Sequence, residues 1–278
     1  MKKVSVIMPC WNDGLYLEDA FQSVERQTWR NVEIVVVDDG SDDPYTRQQL
    51  ERLSREKRCI LLSQTHKGPA AARNLAVQHS SGAYILPLDA DDAIEPDYIE
   101  KAVCVLEREP EVGVCYCRAD FWGAMKGPWM LPDYSLAEML KDNVVFVSSV
   151  MRREVFEHTG GYDERFVDGM EDYDFYLTVI EQGWEVYQLP ETLFHYRIKP
   201  GSRSQTFSGK KEVYRQVYRT IYEKHKKLYC AHAEHIIPEL REEVVENRQK
   251  IQELQEQIRK KRRLWEKVAD RILSMRRG

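Results

Sequence analysis

No stretch of about 18 apolar residues occurs in these 278 residues, so no helix is long and apolar enough to cross a membrane. The N-terminal run Lys2-Lys3-Val4-Ser5-Val6-Ile7-Met8-Pro9 is basic but too short in apolar residues for a secretory signal, and a first core strand is expected there. Cysteine is sparse and dispersed, at 10, 59, 104, 115, 117 and 230. A chain of this size needs no disulfide staples, so reduced thiols of a cytoplasmic protein are expected, with Cys115 and Cys117 as small core residues. No internal repeat is evident. No G-x-x-x-x-G-K-[ST] loop is present either, which excludes a P-loop nucleotide site.

With 42% hydrophobic and 31% charged residues, the chain can bury a core large enough for one domain plus an extension. The net charge of −5 hides an asymmetry. Residues 259–278 carry nine Lys or Arg against Glu266 and Asp270, leaving an acidic body with a basic tail. An acidic body repels phosphate backbones, which argues against nucleic acid as a partner.

Strand and helix signals alternate over the first 120 residues. Strands are predicted at Val4–Met8, Val32–Val37, Cys59–Ser63 and Tyr84–Leu88, and helices at Tyr16–Gln27, Thr46–Glu56 and Pro69–His79. That alternation predicts an α/β fold with a mostly parallel sheet flanked by helices, and ligands bind outside the carboxyl ends of such strands. From about 110 to 205 the pattern loosens around a helix at Asp172–Gln182, and this half is expected to wall the other side of the cleft. The expected division is 1–209 for the cleft-bearing domain, nucleotide-binding to about 120 and acceptor-side from 121, with a helical extension over 210–278.

In the extension, Pro238 is placed to open a new helix. Beyond it, Val244, Ile251, Ile258, Trp265 and Ile272 fall at a positions and Leu240, Leu254, Val268 and Met275 at d, with Asn247 and Lys261 also at d. This heptad register over 240–275 predicts a coiled-coil homodimer. The basic end mixes Leu264, Trp265, Val268, Ile272 and Leu273 with its cations, a composition that also suits peripheral contact with an anionic membrane on the cytoplasmic side.

The chemistry sits at the strand ends. Tyr84–Leu88 runs into Asp89, Asp91 and Asp92, and carboxylates gathered there repel one another and lose hydration. Mg²⁺ or Mn²⁺ bridging a substrate's phosphates would remove the conflict, with Asp91 the direct ligand and Asp89 supporting metal or ribose. Asp92 is assigned to helix capping. Pro9 and Trp11 follow the first strand, where an indole can lie against a base or ribose. Asp39, in Asp38-Asp39-Gly40-Ser41, can accept from a base edge, although the same residues make a good turn. Small residues around Gly68-Pro69-Ala70 open a helix, and Arg73 could bring a charged fork to phosphate. Glu171 and Asp172 start another helix, where a carboxylate is either a cap or a general base for a hydroxyl.

Taken together, VSVIMPCWND, VVVDDGSDD, GPAAARNLA, YILPLDADD, GGYDERF and MEDYDF, in that order over residues 3–205, resemble the family 2 glycosyltransferases with the GT-A fold. The resemblance implies an inverting, metal-dependent enzyme that moves a sugar from a nucleotide-sugar, of the UDP class, to a hydroxyl of a glycan or lipid-linked glycan, as in bacterial surface polysaccharide or glycoconjugate assembly. It implies base contact at Asp39, pyrophosphate contact at Arg73, the metal motif at Asp89-Ala90-Asp91 and the catalytic base at Asp172. Family members often carry Tyr where Trp11 stands. Many carry His where Lys199 follows Phe194-His195-Tyr196-Arg197-Ile198, so Lys199 could contact the diphosphate, and His195 is either a third metal ligand or a buried structural histidine. Two other readings compete. A sugar-phosphate nucleotidyltransferase would leave Glu171-Asp172 without a task, and a non-catalytic coiled-coil scaffold would have no use for carboxylates at 89, 91 and 172.

Overall fold

The computed structural model of the chain describes residues 1–199 and 211–275. It divides into two compact units, Met1–Leu228 and Tyr229–Gly278. The first unit opens with β1 (Val4–Cys10), α1 (Leu17–Glu25), β2 (Val32–Asp38), α2 (Pro44–Arg55), β3 (Ile60–Ser63), α3 (Pro69–Gln78) and β4 (Tyr84–Pro87). β1 pairs in parallel with both β2 and β4, and β2 with β3. The apolar runs predicted to be buried are buried: every residue of β1 is inside, as are Val35–Val37 and Tyr84–Leu88. Each Val, Leu, Ile or Met side chain among them contributes roughly 1.5–3 kcal/mol relative to exposure. α2 starts two residues before Thr46 because Asp43 caps it, accepting the Thr46 N–H at 2.8 Å, and Pro44 supplies a preset first turn.

The remainder comprises β5 (Ala93–Ile94), α4 (Tyr98–Arg108), β6 (Val112–Gly123), β7 (Gly127–Trp129), α5 (Leu136–Lys141), β8 (Val150–Arg152), α6 (Arg153–Thr159), α7 (Glu171–Glu181), β9 (Glu185–Ile198) and α8 (Lys211–Lys224). The sheet runs β3-β2-β1-β4-β8-β6-β9-β5, with β7 paired to β6. β8 lies antiparallel to β4 and β6, β9 is parallel to β6, and β5 is antiparallel to β9. The sheet is therefore parallel over the first four strands and mixed beyond them. β7, β8 and β5 hold two or three residues each, too few for a periodic signal.

Register decides where the site lies. Cys10 faces Asp38, Asp38 faces Ser63 and Ile7 faces Pro87, so the carboxyl ends of β1, β2, β3 and β4 share one edge. Asn12, in the left-handed region at φ 59, accepts the N–H groups of Asp42 and Asp43 at 3.0 Å each. That ties the loop after β1 to the loop after β2. α7 enters beside this edge through Met170, also left-handed at φ 69, and buries Tyr173, Phe175, Tyr176, Leu177 and Val179.

α9 (Lys226–Met275) runs through Pro238 without ending there, a correction to the expected start. Proline removes one intrahelical hydrogen bond, and the flanking turns continue around it. Within the second unit Val244, Ile251, Leu254, Ile258 and Trp265 are all exposed. The side chains of Leu264, Val268, Ile272, Leu273 and Met275 lie outside the described residues, as do Pro200, Gly201 and Ser202 of the late motif.

Gly14, in the loop after β1, packs against Thr46 in the first turn of α2. A Cβ there would sit 2.5 Å from the Thr46 Cα, a backbone atom that cannot swing aside. Gly14→Ala should destabilise the protein by about 1–3 kcal/mol. Chemical denaturation checks this, and an unchanged midpoint would show that the loop after β1 is not packed on α2 as described.

Candidate active site

The acidic loop after β4 sits among partners that differ for each carboxylate. Asp92, nearly fully buried, accepts the backbone N–H of Arg197 at 2.8 Å. It caps no helix, since α4 begins at Tyr98 behind Asp97; its work is to pin β9 to the loop. Asp91 pairs through Oδ2 with the Lys199 ammonium at 2.8 Å, and Lys199 also bonds Asp13. Desolvation raises the Asp91 carboxyl to about 6 despite Lys199, and Asp13 and Asp89 add to the rise. Burial alone would lower Lys199, but Asp91 and Asp13 outweigh it and raise it. Asp89 accepts from Arg73 at 2.7 Å.

Arg73 is not a free fork. Its side chain is 2% exposed, with Nη2 on Asp89 and Nη1 on Glu171 at 2.8 Å. Each terminal nitrogen gives an N–H to a carboxylate, so the expected diphosphate contact could use only the N–H groups left over. α3 places it: Ala70, Ala71 and Ala72 let this helix pack closely against the sheet, turning Arg73 inward. Its guanidinium also lies 5.6 Å from the centroid of the Tyr162 ring.

Glu171 and Asp172 share the first turn of α7 but not their surroundings. Glu171 is buried against Arg73. Asp172 is pushed up to about 7, first by desolvation and then by the negative charge of Glu171, with Arg73, the Tyr173 N–H and the Asn143 side chain acting in the opposite direction. Two adjacent carboxyls are thereby separated into one paired anion and one group poised to exchange a proton near neutrality.

On the β1–β2 side Trp11 is half exposed and stacks on His66, ring centroids 4.5 Å apart. Pro9 is buried within β1. Asp39, 3% exposed, accepts from Gln64 Nε2 at 2.7 Å and from the Lys67 and Gly68 N–H groups at 2.8 and 2.9 Å. Its carboxylate therefore builds the 64–68 loop, and only its remaining lone pairs could meet a base. His195 does not join the aspartates. Its Nδ1 lies 2.6 Å from Asp120 Oδ1 and its Nε2 2.9 Å from Glu95 Oε1, so both ring nitrogens face carboxylates other than Asp89 and Asp91. Asp13, Asn143, His66 and Arg197 were missed by sequence reasoning. Only Arg197, alternating with Lys199 at a strand end, carried a visible signal.

Among the described residues no group of three His, Cys, Asp or Glu side chains could hold a metal alone. The chain offers two carboxylates, Asp89 and Asp91, in a crowded acidic loop that already draws a cationic side chain. This donor set suits a hard divalent cation completed by substrate oxygens.

Residues 5–160 match the family model described as Glycosyl transferase family 2. An uncharacterized glycosyltransferase of Haemophilus influenzae is 30% identical over 226 residues, covering 74% of this chain and 68% of that protein. Glycosyltransferase GlyA of Streptococcus pneumoniae is 32% identical over 226 residues, covering 75% of this chain and 32% of GlyA. The chain thus spans from about a third to two thirds of these relatives' lengths. Two solved structures share the fold: S. aureus TarS 1–349 in complex with UDP-GlcNAc (TM-score 0.62, 20% identity, 73% of this chain and 61% of that one) and the mannosyltransferase PcManGT of Pyrobaculum calidifontis with GDP-Man and Mn²⁺ (TM-score 0.60, 20% identity, 74% and 59%). The chain belongs to glycosyltransferase family 2. Its fold is GT-A.

Removing the buried guanidinium should expose how much the site depends on it. Arg73→Met leaves Glu171 buried without a counter-charge and should cost about 3–5 kcal/mol. Denaturant unfolding measures it, and a loss under about 1 kcal/mol would contradict the buried bridge.

Proposed function

We propose that this enzyme transfers a sugar, with inversion, from a nucleotide-diphospho-sugar of the UDP class to a hydroxyl of a glycan or lipid-linked glycan. The observation that carries this reading is the carboxyl of Asp172, held near neutral affinity at the start of α7 and joined through Glu171, Arg73 and Asp89 to the acidic loop. Asp172 is the general base. It takes the proton of the acceptor hydroxyl while that oxygen bonds to the anomeric carbon and the bond from that carbon to the diphosphate breaks on the opposite face. One displacement inverts the centre, and no covalent enzyme intermediate is needed. Ionised Glu171 keeps Asp172 basic enough to accept, and Arg73 is a positioning residue that fixes Glu171 and Asp89 together.

Asp89 and Asp91 would hold Mn²⁺ or Mg²⁺, which supplies charge to the departing diphosphate when bound. Trp11 and His66 offer a ring surface to the base, in a loop that Asp39 shapes. The neighbours that bind UDP-GlcNAc, and GDP-Man with Mn²⁺, support a nucleotide-sugar donor and a divalent cation. The exposed a and d residues of α9 support self-association of this chain as a coiled-coil dimer, and the basic segment beyond them supports contact with anionic lipid at the cytoplasmic face.

The acid limb of the rate profile tests the base. Below about pH 7 Asp172 holds a proton and cannot accept another, so kcat/KM should fall about tenfold per pH unit there and level off above. Asp172→Asn should abolish transfer and that limb while UDP affinity, read by calorimetry, survives. Persistent transfer in this variant would remove the assignment. Sedimentation of the full chain should give the mass of a dimer, and a monomer at micromolar concentration would remove the coiled-coil reading.

A further inference from the structure

Lys199 follows directly on an anchored strand end. Two residues earlier, Arg197 is held on every side. Its backbone N–H donates to Asp92, its Nε donates to the Asp91 carbonyl at 2.7 Å, and its Nη2 meets Asp19 at 2.7 Å. Its guanidinium lies between two rings, 3.7 Å from the centroid of Trp122 and 4.7 Å from that of Tyr16. β9 thus delivers Lys199 to the acidic loop from an anchored base. The ammonium then reaches along a flexible four-carbon stem to Asp91 and Asp13, over the Tyr16 ring at 5.3 Å. All three charged groups keep about a fifth or less of their side-chain surface in solvent.

Asp91 is the carboxylate assigned above to the divalent cation, so Lys199 stands where two positive charges are wanted at different times. A lysine bonded to a metal ligand opposes cation binding, since both need the same oxygen. The same lysine, once released, is a mobile point charge beside the diphosphate. We infer that Lys199 is the resident counter-ion of the cation site: it holds Asp91 in the nucleotide-free protein, yields that carboxylate to the divalent cation, and turns to the donor's diphosphate. This rests on the cation reading of Asp89 and Asp91. Asp13 is the second half of the device, because it gives the ammonium a partner on the β1 side from which to swing. Arg197 supplies the fixed pivot.

The inference predicts effects of opposite sign from one substitution. Lys199→Met keeps the apolar stem that crosses Tyr16 and removes only the charge, so the fold should survive; Lys199→Gln serves as a second variant. Free Mn²⁺ is read by electron paramagnetic resonance as it is titrated with nucleotide-free full-length protein, and UDP binding is read by calorimetry at saturating Mn²⁺. Both variants should bind Mn²⁺ more tightly than wild type without nucleotide, and UDP more weakly with Mn²⁺ present, each by about tenfold (1.4 kcal/mol). A lysine that is only a structural ion pair would leave UDP affinity unmoved, and one that only contacts diphosphate would leave nucleotide-free Mn²⁺ affinity unmoved; either result overturns the inference. Failure of the cation reading looks different, because wild type itself would then bind no Mn²⁺ in the presence of UDP.

Discussion

A single buried guanidinium holds the two halves of this site together. Arg73 reaches from α3 to Asp89 at the end of β4 and to Glu171 at the start of α7, with almost no contact with water. A buried charge is costly unless its partners are equally fixed, and here both partners are carboxylates that would repel each other without it. The loop after β4 comes from the parallel half of the sheet and α7 from the mixed half. Their relative placement is therefore an electrostatic constraint as much as a packing one.

The same logic runs through the rest of the cleft. Asp13, Asp89, Asp91, Asp92, Glu171 and Asp172 crowd a small volume, and each is settled in its own way. Asp92 takes a backbone N–H, Asp91 and Asp13 share Lys199, and Asp89 and Glu171 share Arg73. Asp172 takes the Tyr173 N–H and the Asn143 side chain, and desolvation with the neighbouring Glu171 charge raises its proton affinity. A site can in this way hold several ionised carboxylates and still keep one of them as a base near neutrality.

Much of the first half was legible because its signals are local. An apolar run of four to seven residues followed by small or acidic residues locates β1, β2 and β4 to within two residues, and parallel pairing then brings their ends together. The second half hides its strands: β7 and β8 are three residues long and β6 is bulged along its pairing with β9. Residue types that do chemistry were visible at 89, 91, 171 and 172, but their partners were not. Arg73 lies 98 residues from Glu171, and Lys199 lies 186 from Asp13. An ion pair leaves no periodicity in sequence. That is why Asp92 read as a helix cap when it accepts from Arg197, and why neither the carboxylates around Arg73 nor those around His195 could be read from the sequence.

The most direct test of the Arg73 bridge is a double-mutant cycle across it, with Asp89→Asn, Glu171→Gln and the double variant compared by denaturant unfolding. Removing one carboxylate leaves the guanidinium half paired, whereas removing both leaves it buried and bare. The double variant should therefore lose more than the two single losses together, by about 1 kcal/mol or more. Losses that add within about 0.3 kcal/mol would mean that the two carboxylates do not share one buried cation, and the account of the site would fail.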